Sequence, residues 1–304
     1  MSQIKIKLVE ESFKNLDKYL LSEKFKGFEY DDFLSSDVLN LLTFKNHYMR
    51  IIFTNFSKYS GSKIRHYLGV KKLPSSKAFG FFIEGYLNYF LYTKDKKQAI
   101  KAVKFLDWLK KNKSADFTNL SWGNSFDFAS REGFLPKNHP TVVWTAHIAR
   151  AFDFANEILD FSISDSVVDC AEFMIKNVSY IEDENGICFS YNPVYQTYGI
   201  HNANLLVSSC LIRAWKYTKE DKYVNLASKA INWSLKHMNK DGSWPYSINN
   251  RKRVDSYHTG YNLDCLLFAW ENLGNDIFPW SFIQKTYDFW ESNFFENSSI
   301  PKFY

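Results

Sequence analysis

Three stretches of this 304-residue sequence follow one plan, and a chain that repeats itself has few folds open to it. Each stretch starts with a polar helix: KKQAIKAVKFLDWLKKN, then SDSVVDCAEFMIKNV, then DKYVNLASKAINWSLKHM. In the first, Ala99, Ala102, Val103, Leu106 and Leu109 recur at helical spacing and define one apolar face. A connector with a turn and an aromatic follows (NLSWGNSFDF, DENGICFSY, KDGSWPYSI), and then a more apolar helix (TVVWTAHIARAFDFANEI, NANLLVSSCLIRAWKY, TGYNLDCLLFAWENL). His139, His201 and His258 each stand just ahead of the second helix, about sixty residues apart, a period that fits one helical hairpin with a long connector.

Alternating polar and apolar helices at this period predict two concentric layers with the apolar set inside, an all-α fold of the (α/α) toroid type, with short strands in the connectors at the mouth. Inner helices of such a fold run the same way, so their amino-terminal ends gather at one mouth. The spacing predicts a single toroid domain over 1–304, with repeat units at roughly 77–140, 141–200, 201–257 and 258–304. The segment KAFGFFIEGYLNYFLY reads as the second helix of an earlier unit, and SSDVLNLLTFKNHYMRIIFTNFSKY as helix with Ser36 or Asp37 available as a cap. PWSFIQKTYDFWESNFF reads as another outer helix, and the ENSSIPKFY that follows is too short for an inner partner. Either the ring is open there, or amino-terminal helices close it, or a longer ancestral chain was cut; association with another chain that completes the toroid is the partner this leaves open.

Composition narrows the function. Aromatic residues make up 18% of the chain, enough both to fill a helical core and to line a groove where sugar rings stack. A net charge of +5 with no Lys/Arg block argues against nucleic acid as a partner. Cys170, Cys188, Cys210 and Cys265 are too widely spaced for a zinc or redox motif and read as reduced core residues. No signal-peptide core and no transmembrane segment is evident, which makes the cytoplasm the expected location. No P-loop, dinucleotide fingerprint or nucleophile motif occurs, and the expectation is no cofactor and no metal. A zinc pocket would require His139, His201 and His258 to converge, and each leads a helix instead of forming a close ligand pair.

The segment DGSWPYSINNRKRVDSYHTGYNLDCLL resembles the end of the catalytic toroid of glucuronyl carbon-5 epimerases, and more broadly the toroid proteins encoded with bacterial capsule and exopolysaccharide genes. WGNSFDFASREGFLPKNHPTVVWTAHIARAF and YNPVYQTYGIHNANLLVSSCLIRAW are similar to two further motifs of that group. The connectors also resemble the Asp-Gly-Ser-Trp repeats of terpenoid cyclases and prenyltransferases, whose D-x-D-D motif is absent here, EYDDF at Glu29–Phe33 being the nearest run. The first resemblance implies a carbohydrate-active protein of surface-polysaccharide synthesis, with a glycan substrate and glycosyltransferases as possible associates.

Removing a proton α to a uronate carboxylate, in an epimerase or a lyase, takes a base, a group that neutralises the carboxylate and, for epimerisation, an acid on the opposite ring face. Asp255, Tyr257, His258 and Tyr261 are the candidate catalytic residues, with Tyr261 one turn beyond Tyr257 on the same helix face. The bland alternative is that Asp255 caps the helix, the tyrosines pack and His258 bonds backbone. Candidate substrate contacts are Trp122, Asp127, Arg131, Glu132, His139, Tyr198, His201, Asn202, Asn204, Trp244, Tyr246 and Arg253. Of these, Trp122, Trp244 and Tyr246 either stack on sugars or plug gaps between hairpins. Arg131 either holds a carboxylate or pairs with Asp127, and Asn202 and Asn204 serve equally well as caps. Two other functions stay open: a non-catalytic toroid that binds glycan or scaffolds other enzymes, and a terpenoid-cyclase-like enzyme.

Overall fold

Helices dominate because the apolar residues recur at helical spacing over long runs with little Gly or Pro to interrupt them. The computed structural model describes residues 3–249, 253–296 and 300–302. Its helices are α1 (Gln3–Ser22), α2 (Asp37–Leu42), α3 (His47–Ser57), α4 (Ser62–Tyr67), α5 (Ser76–Thr93), α6 (Lys96–Lys111), α7 (Val142–Ile158), α8 (Ser164–Asn177), α9 (His201–Thr218), α10 (Asp221–Lys236), α11 (Ser256–Leu273) and α12 (Ser281–Phe294). Three antiparallel strand pairs interrupt them: β1 (Phe128–Ser130) with β2 (Gly133–Leu135), β3 (Tyr180–Asp183) with β4 (Gly186–Phe189), and β5 (Phe295–Glu296) with β6 (Ile300–Pro301). The first two pairs are the short strands expected in the connectors.

The chain divides into two packed units. The first comprises Met1–Ala78 and Asn124–Asn138. Its small core is Phe33, Leu39 and Val70, flanked by Phe28, Phe53 and Leu68. Ser36 is the cap of α2: its hydroxyl accepts the Leu39 N–H at 3.3 Å and donates to the Leu68 carbonyl at 2.7 Å, tying the helix start to the far side of the core. Beneath this core, the Asp32 carboxylate pairs with the buried Arg65 guanidinium and accepts the Glu29 N–H at 2.8 Å. A buried charge is tolerated only when paired and bonded in this way.

The second unit comprises Phe79–Gly123 and His139–Tyr304 and holds the helical hairpins. Helix α9 is buried from His201 to Ala214 and packs against α7, α8, α10 and α11. Helix α10 buries one face only, through Tyr223, Ala227, Ala230, Ile231 and Trp233. The contrast follows from sequence: NANLLVSSCLI is apolar or small all round, whereas α10 keeps its lysines on an outer stripe. Each fully buried Leu, Phe or Met in these interfaces contributes about 1.5–3 kcal/mol of transfer free energy. The hairpin turns fit tightly against neighbouring helices. Gly186, at φ +133°, brings β4 so close to α10 that a Cβ would lie 2.2 Å from the Lys229 carbonyl oxygen. All four cysteines are free and buried, as expected for core thiols, and burial pushes Cys188 up to about 11 and Cys210 and Cys265 up to about 12. Among the described residues no helix is long and apolar enough to cross a membrane.

Candidate active site at the start of helix α11

Asp255 is extended, at φ −139° and ψ 158°, and its side chain caps α11 by accepting the His258 N–H at 2.9 Å. The same carboxylate lies 2.7 Å from the His258 Nδ1. A carboxylate can only accept, so Nδ1 carries the hydrogen and the neutral ring keeps its lone pair on Nε2, which makes no hydrogen bond among the described residues. Burial alone would raise the Asp255 carboxyl. The bonds from the His258 ring and N–H and the nearby Arg253 charge override it, and the group lies below the usual carboxylate range. Arg253 reaches Asp255 from the solvent side, with Nε at 3.6 Å and its side chain 78% exposed, which leaves most of its guanidinium available to an anion. Tyr246 stands edge-on to the His258 ring at 4.6 Å and fixes its plane.

One turn along, the Tyr261 hydroxyl donates to the Tyr257 hydroxyl at 2.7 Å, with ring centroids 4.5 Å apart. Burial, and then its bond to Tyr257, push the Tyr261 hydroxyl far above the ordinary phenol range, so it stays protonated and donates. Tyr257 is 58% exposed and carries an oxygen that both receives this bond and faces solvent. The start of α11 is fastened from behind, since the Trp290 indole donates to the Ser256 hydroxyl at 3.1 Å.

Tyr261 also leads to groups beyond the candidates named above. Its ring packs on His147 of α7 at 4.8 Å, and His147 packs on Phe81 of α5 at 5.2 Å. One turn further into the unit, Arg150 of α7 holds Glu84 of α5 through two bonds of 2.9 and 2.7 Å and Asp264 of α11 through one of 2.7 Å. Burial works against the Arg150 charge, but its bonds to Glu84 and the Asp264 charge override it and the guanidinium stays ionised. The available signal was the pairing of a histidine or tyrosine with a charge three residues on, in helices otherwise apolar: His147 with Arg150, and Tyr261 with Asp264.

The remaining expected residues fall into separate places. Tyr198 bonds the Ser179 hydroxyl at 3.1 Å through its own. Trp122 is 1% exposed, donates to the Leu109 carbonyl at 3.0 Å and packs on Phe152, so its ring is a core plug. Trp244 is likewise buried and bonds the Thr286 hydroxyl at 3.2 Å. Neither Asn202 nor Asn204 caps α9, which begins at His201 with no side-chain cap. Asn204 instead accepts the Phe189 N–H and donates to Ile187, Ala230 and Ser234, stitching α9 to β4 and α10. The Asn202 side-chain oxygen is buried without a partner among the described residues. His201 is buried among Trp233, His237 and Trp244, and neither of its ring nitrogens has a hydrogen-bond partner there. Burial, with a smaller contribution from His237, pushes it down to about 3. His139 is half-buried, edge-on to Phe117, and also lowered by burial. No ring contact or hydrogen bond joins His139, His201 and His258, and no metal-holding cluster occurs among the described residues.

In the first unit, Asp127 accepts the Asn40 amide at 3.0 Å and the Lys137 N–H at 2.9 Å, and no ion pair joins it to Arg131 among the described residues. Glu132 accepts the Ser130 hydroxyl at 2.7 Å on the exposed β1–β2 turn.

No protein-family model matches the chain, and no curated protein matches it in sequence. Solved structures do. Lin0763 of Listeria innocua superposes with TM-score 0.59 at 16% identity, covering 79% of this chain and 64% of that one. Cellobiose 2-epimerase from Bacillus thermoamylovorans gives 0.59 at 12% identity, covering 88% and 76%. Unsaturated glucuronyl hydrolase of a Bacillus species, described as responsible for glycosaminoglycan degradation, gives 0.55 at 12%, covering 89% and 76%. The chain therefore spans less than two thirds of the Listeria protein's length. At these identities the likeness establishes the fold, an α/α toroid built from helical hairpins.

Proposed function

We propose that this chain acts on a carbohydrate and moves a proton at a carbon next to a uronate carboxylate. The observation that carries the reading is the Asp255–His258 pair beside the Tyr261–Tyr257 pair, a fixed base and a fixed hydroxyl donor on adjacent turns of one helix. In this reading His258 Nε2 takes the carbon-5 proton, Asp255 stabilises the imidazolium that forms, and the electron pair moves into the carboxylate. Arg253 neutralises that developing charge from the rim. For epimerisation, Tyr257 returns a proton to the opposite face, is held by the Tyr261 hydrogen bond while deprotonated, and is reprotonated from solvent, to which His258 gives up the proton it took. For elimination, the electron pair instead expels the oxygen at carbon 4, which takes the Tyr257 proton as it leaves, and an unsaturated uronate remains.

The fold neighbours support a sugar substrate, because their names include a cellobiose 2-epimerase, a D-mannose isomerase and an unsaturated glucuronyl hydrolase. The sequence resemblance supports surface-polysaccharide synthesis as the setting. The test is incubation with uronate oligosaccharides in heavy water, followed by mass spectrometry. Uptake of one deuterium per turned-over residue, abolished in His258→Ala and Tyr257→Phe, is the expected result. Glycan binding without exchange or unsaturation across a broad panel would replace this reading with a binding role.

A further inference from the structure

The first unit carries a cavity that the α11 chemistry does not use. It measures about 580 Å³ and is lined by Asp37, Asn40, Leu41, Phe44, Lys45 and Arg50, at the junction of α2 and α3. That volume is in the range of small-molecule sites. The Arg50 guanidinium carbon lies 3.9 Å from the Phe134 ring centroid, so the ring packs against the side chain and restrains it. Its Nε is shielded from solvent and has no hydrogen-bond partner. Among the described residues no acidic side chain pairs with Arg50 or Lys45. The one acid in the lining, Asp37, is engaged by Lys71 at 2.7 and 2.8 Å. Asn40 is held in place by Asp127, so its amide is oriented toward a fixed direction.

A guanidinium and an ammonium without counter-charge, sharing a cavity with an oriented amide, have the donor set for an oxyanion. The rim adds a second requirement: Phe44 is 83% exposed and Leu41 76% exposed, an apolar and aromatic edge suited to the C–H face of a sugar ring. We infer that this cavity binds the anionic group of a sugar, with Arg50 and Lys45 on the oxyanion, Asn40 on a neighbouring hydroxyl and Phe44 against the ring. The anion is either a uronate carboxylate or a sugar phosphate. The sugar part of the inference rests on the carbohydrate reading above, while the oxyanion part stands on the cavity alone.

The test is calorimetric titration of the full chain at low salt with inorganic phosphate, glucose, glucuronate and glucose 1-phosphate. The variants are Arg50→Gln, Arg50→Lys and Lys45→Asn, with Lys229→Gln, outside the cavity lining, as a control. Lys45 has φ +58°, a conformation asparagine accepts, so that variant leaves the turn intact. Glucuronate or glucose 1-phosphate should bind at least tenfold more tightly than glucose. Arg50→Gln should weaken that binding tenfold or more, Arg50→Lys should recover only part, and Lys229→Gln should change nothing. The better of the two anionic sugars identifies the anion. Phosphate binding that depends on Arg50, with no gain from the sugar, would overturn the sugar part. Equal affinity in wild type and Arg50→Gln, or no binding of any anion, would overturn the inference entirely. Deuterium exchange by the same samples separates it from the α11 reading, because exchange that survives while anion binding is independent of Arg50 sinks only this cavity.

Discussion

Replacing Asp255 by Asn separates two jobs that one carboxylate performs. As a cap it accepts the His258 N–H at 2.9 Å, and as an orienting group it holds the His258 Nδ1 at 2.7 Å. Asparagine caps helices about as well as aspartate, so Asp255→Asn keeps the cap, gives up only the charge contribution, and should melt between wild type and Asp255→Ala. Asp255→Ala loses the cap, about 1 kcal/mol, which in a protein of this size lowers Tm by about 1.5–2 °C. The second job behaves differently. An amide cannot stabilise the imidazolium by charge, and the lost charge-assisted bond is worth about 1.5–3 kcal/mol at this part-buried pair. Converted to a rate, that is a loss of roughly 10- to 150-fold in exchange at carbon 5. The carboxyl is depressed in the folded state, so its contribution to stability is present above the unfolded value near 3.9 and is lost as pH falls through the lower folded value. The stability gap between Asp255→Ala and wild type should therefore narrow in acid. Melting curves and exchange rates on the three proteins decide the matter. An Asn variant that exchanges at the wild-type rate, or one that melts like the Ala variant, refutes the division of labour.

Three further outcomes follow from the packing. Gly186→Ala should cost roughly 3 kcal/mol, because the added Cβ meets the Lys229 carbonyl at 2.2 Å, whereas Gly260→Ala, in open space within α11, should gain about 0.5–1 kcal/mol in urea unfolding. His201 is held near 3 while its unfolded value is near 6.5, so it contributes stability that is complete above pH 6.5 and falls away toward pH 3; His201→Phe should flatten that slope in urea midpoints measured at pH 7.5 and 4.5, and an unchanged slope would contradict it. Arg150→Gln should cost about 2 kcal/mol, less than a fully buried pair because the side chains of Arg150 and Asp264 are 30% and 60% exposed, and adding Glu84→Gln should recover part of the loss; simple additivity of the two would argue against the pairing.

The hairpin plan was legible because its signal is local. Polar and apolar helices alternate in plain view, and Ser36, Asp255 and the turn glycines announce element ends by their own chemistry. What the sequence could not convey is partnership across long separations. Glu84, Arg150 and Asp264 meet from three helices, with 66 and 114 residues between partners, and each alone resembles an ordinary surface charge. His147 sits mid-helix among apolar neighbours and reads as core filling. Asn204 misled in the opposite direction: near a helix start it resembles a cap, yet its amide is spent on β4 and α10. Trp122 and Trp244 could be sugar platforms or plugs by composition, and only their burial decides between the two.

The central claim is that His258 and Tyr257 move a proton on a sugar. Its most direct test is proton NMR of a uronate oligosaccharide in heavy water, following the carbon-5 hydrogen signal with wild type, His258→Gln and Tyr257→Phe at saturating substrate. Loss of that signal with wild type, slowed at least a hundredfold in both variants while their binding constants hold, is the predicted result. Equal loss in all three would place the chemistry elsewhere, and a signal that persists with wild type despite bound glycan would contradict proton transfer altogether.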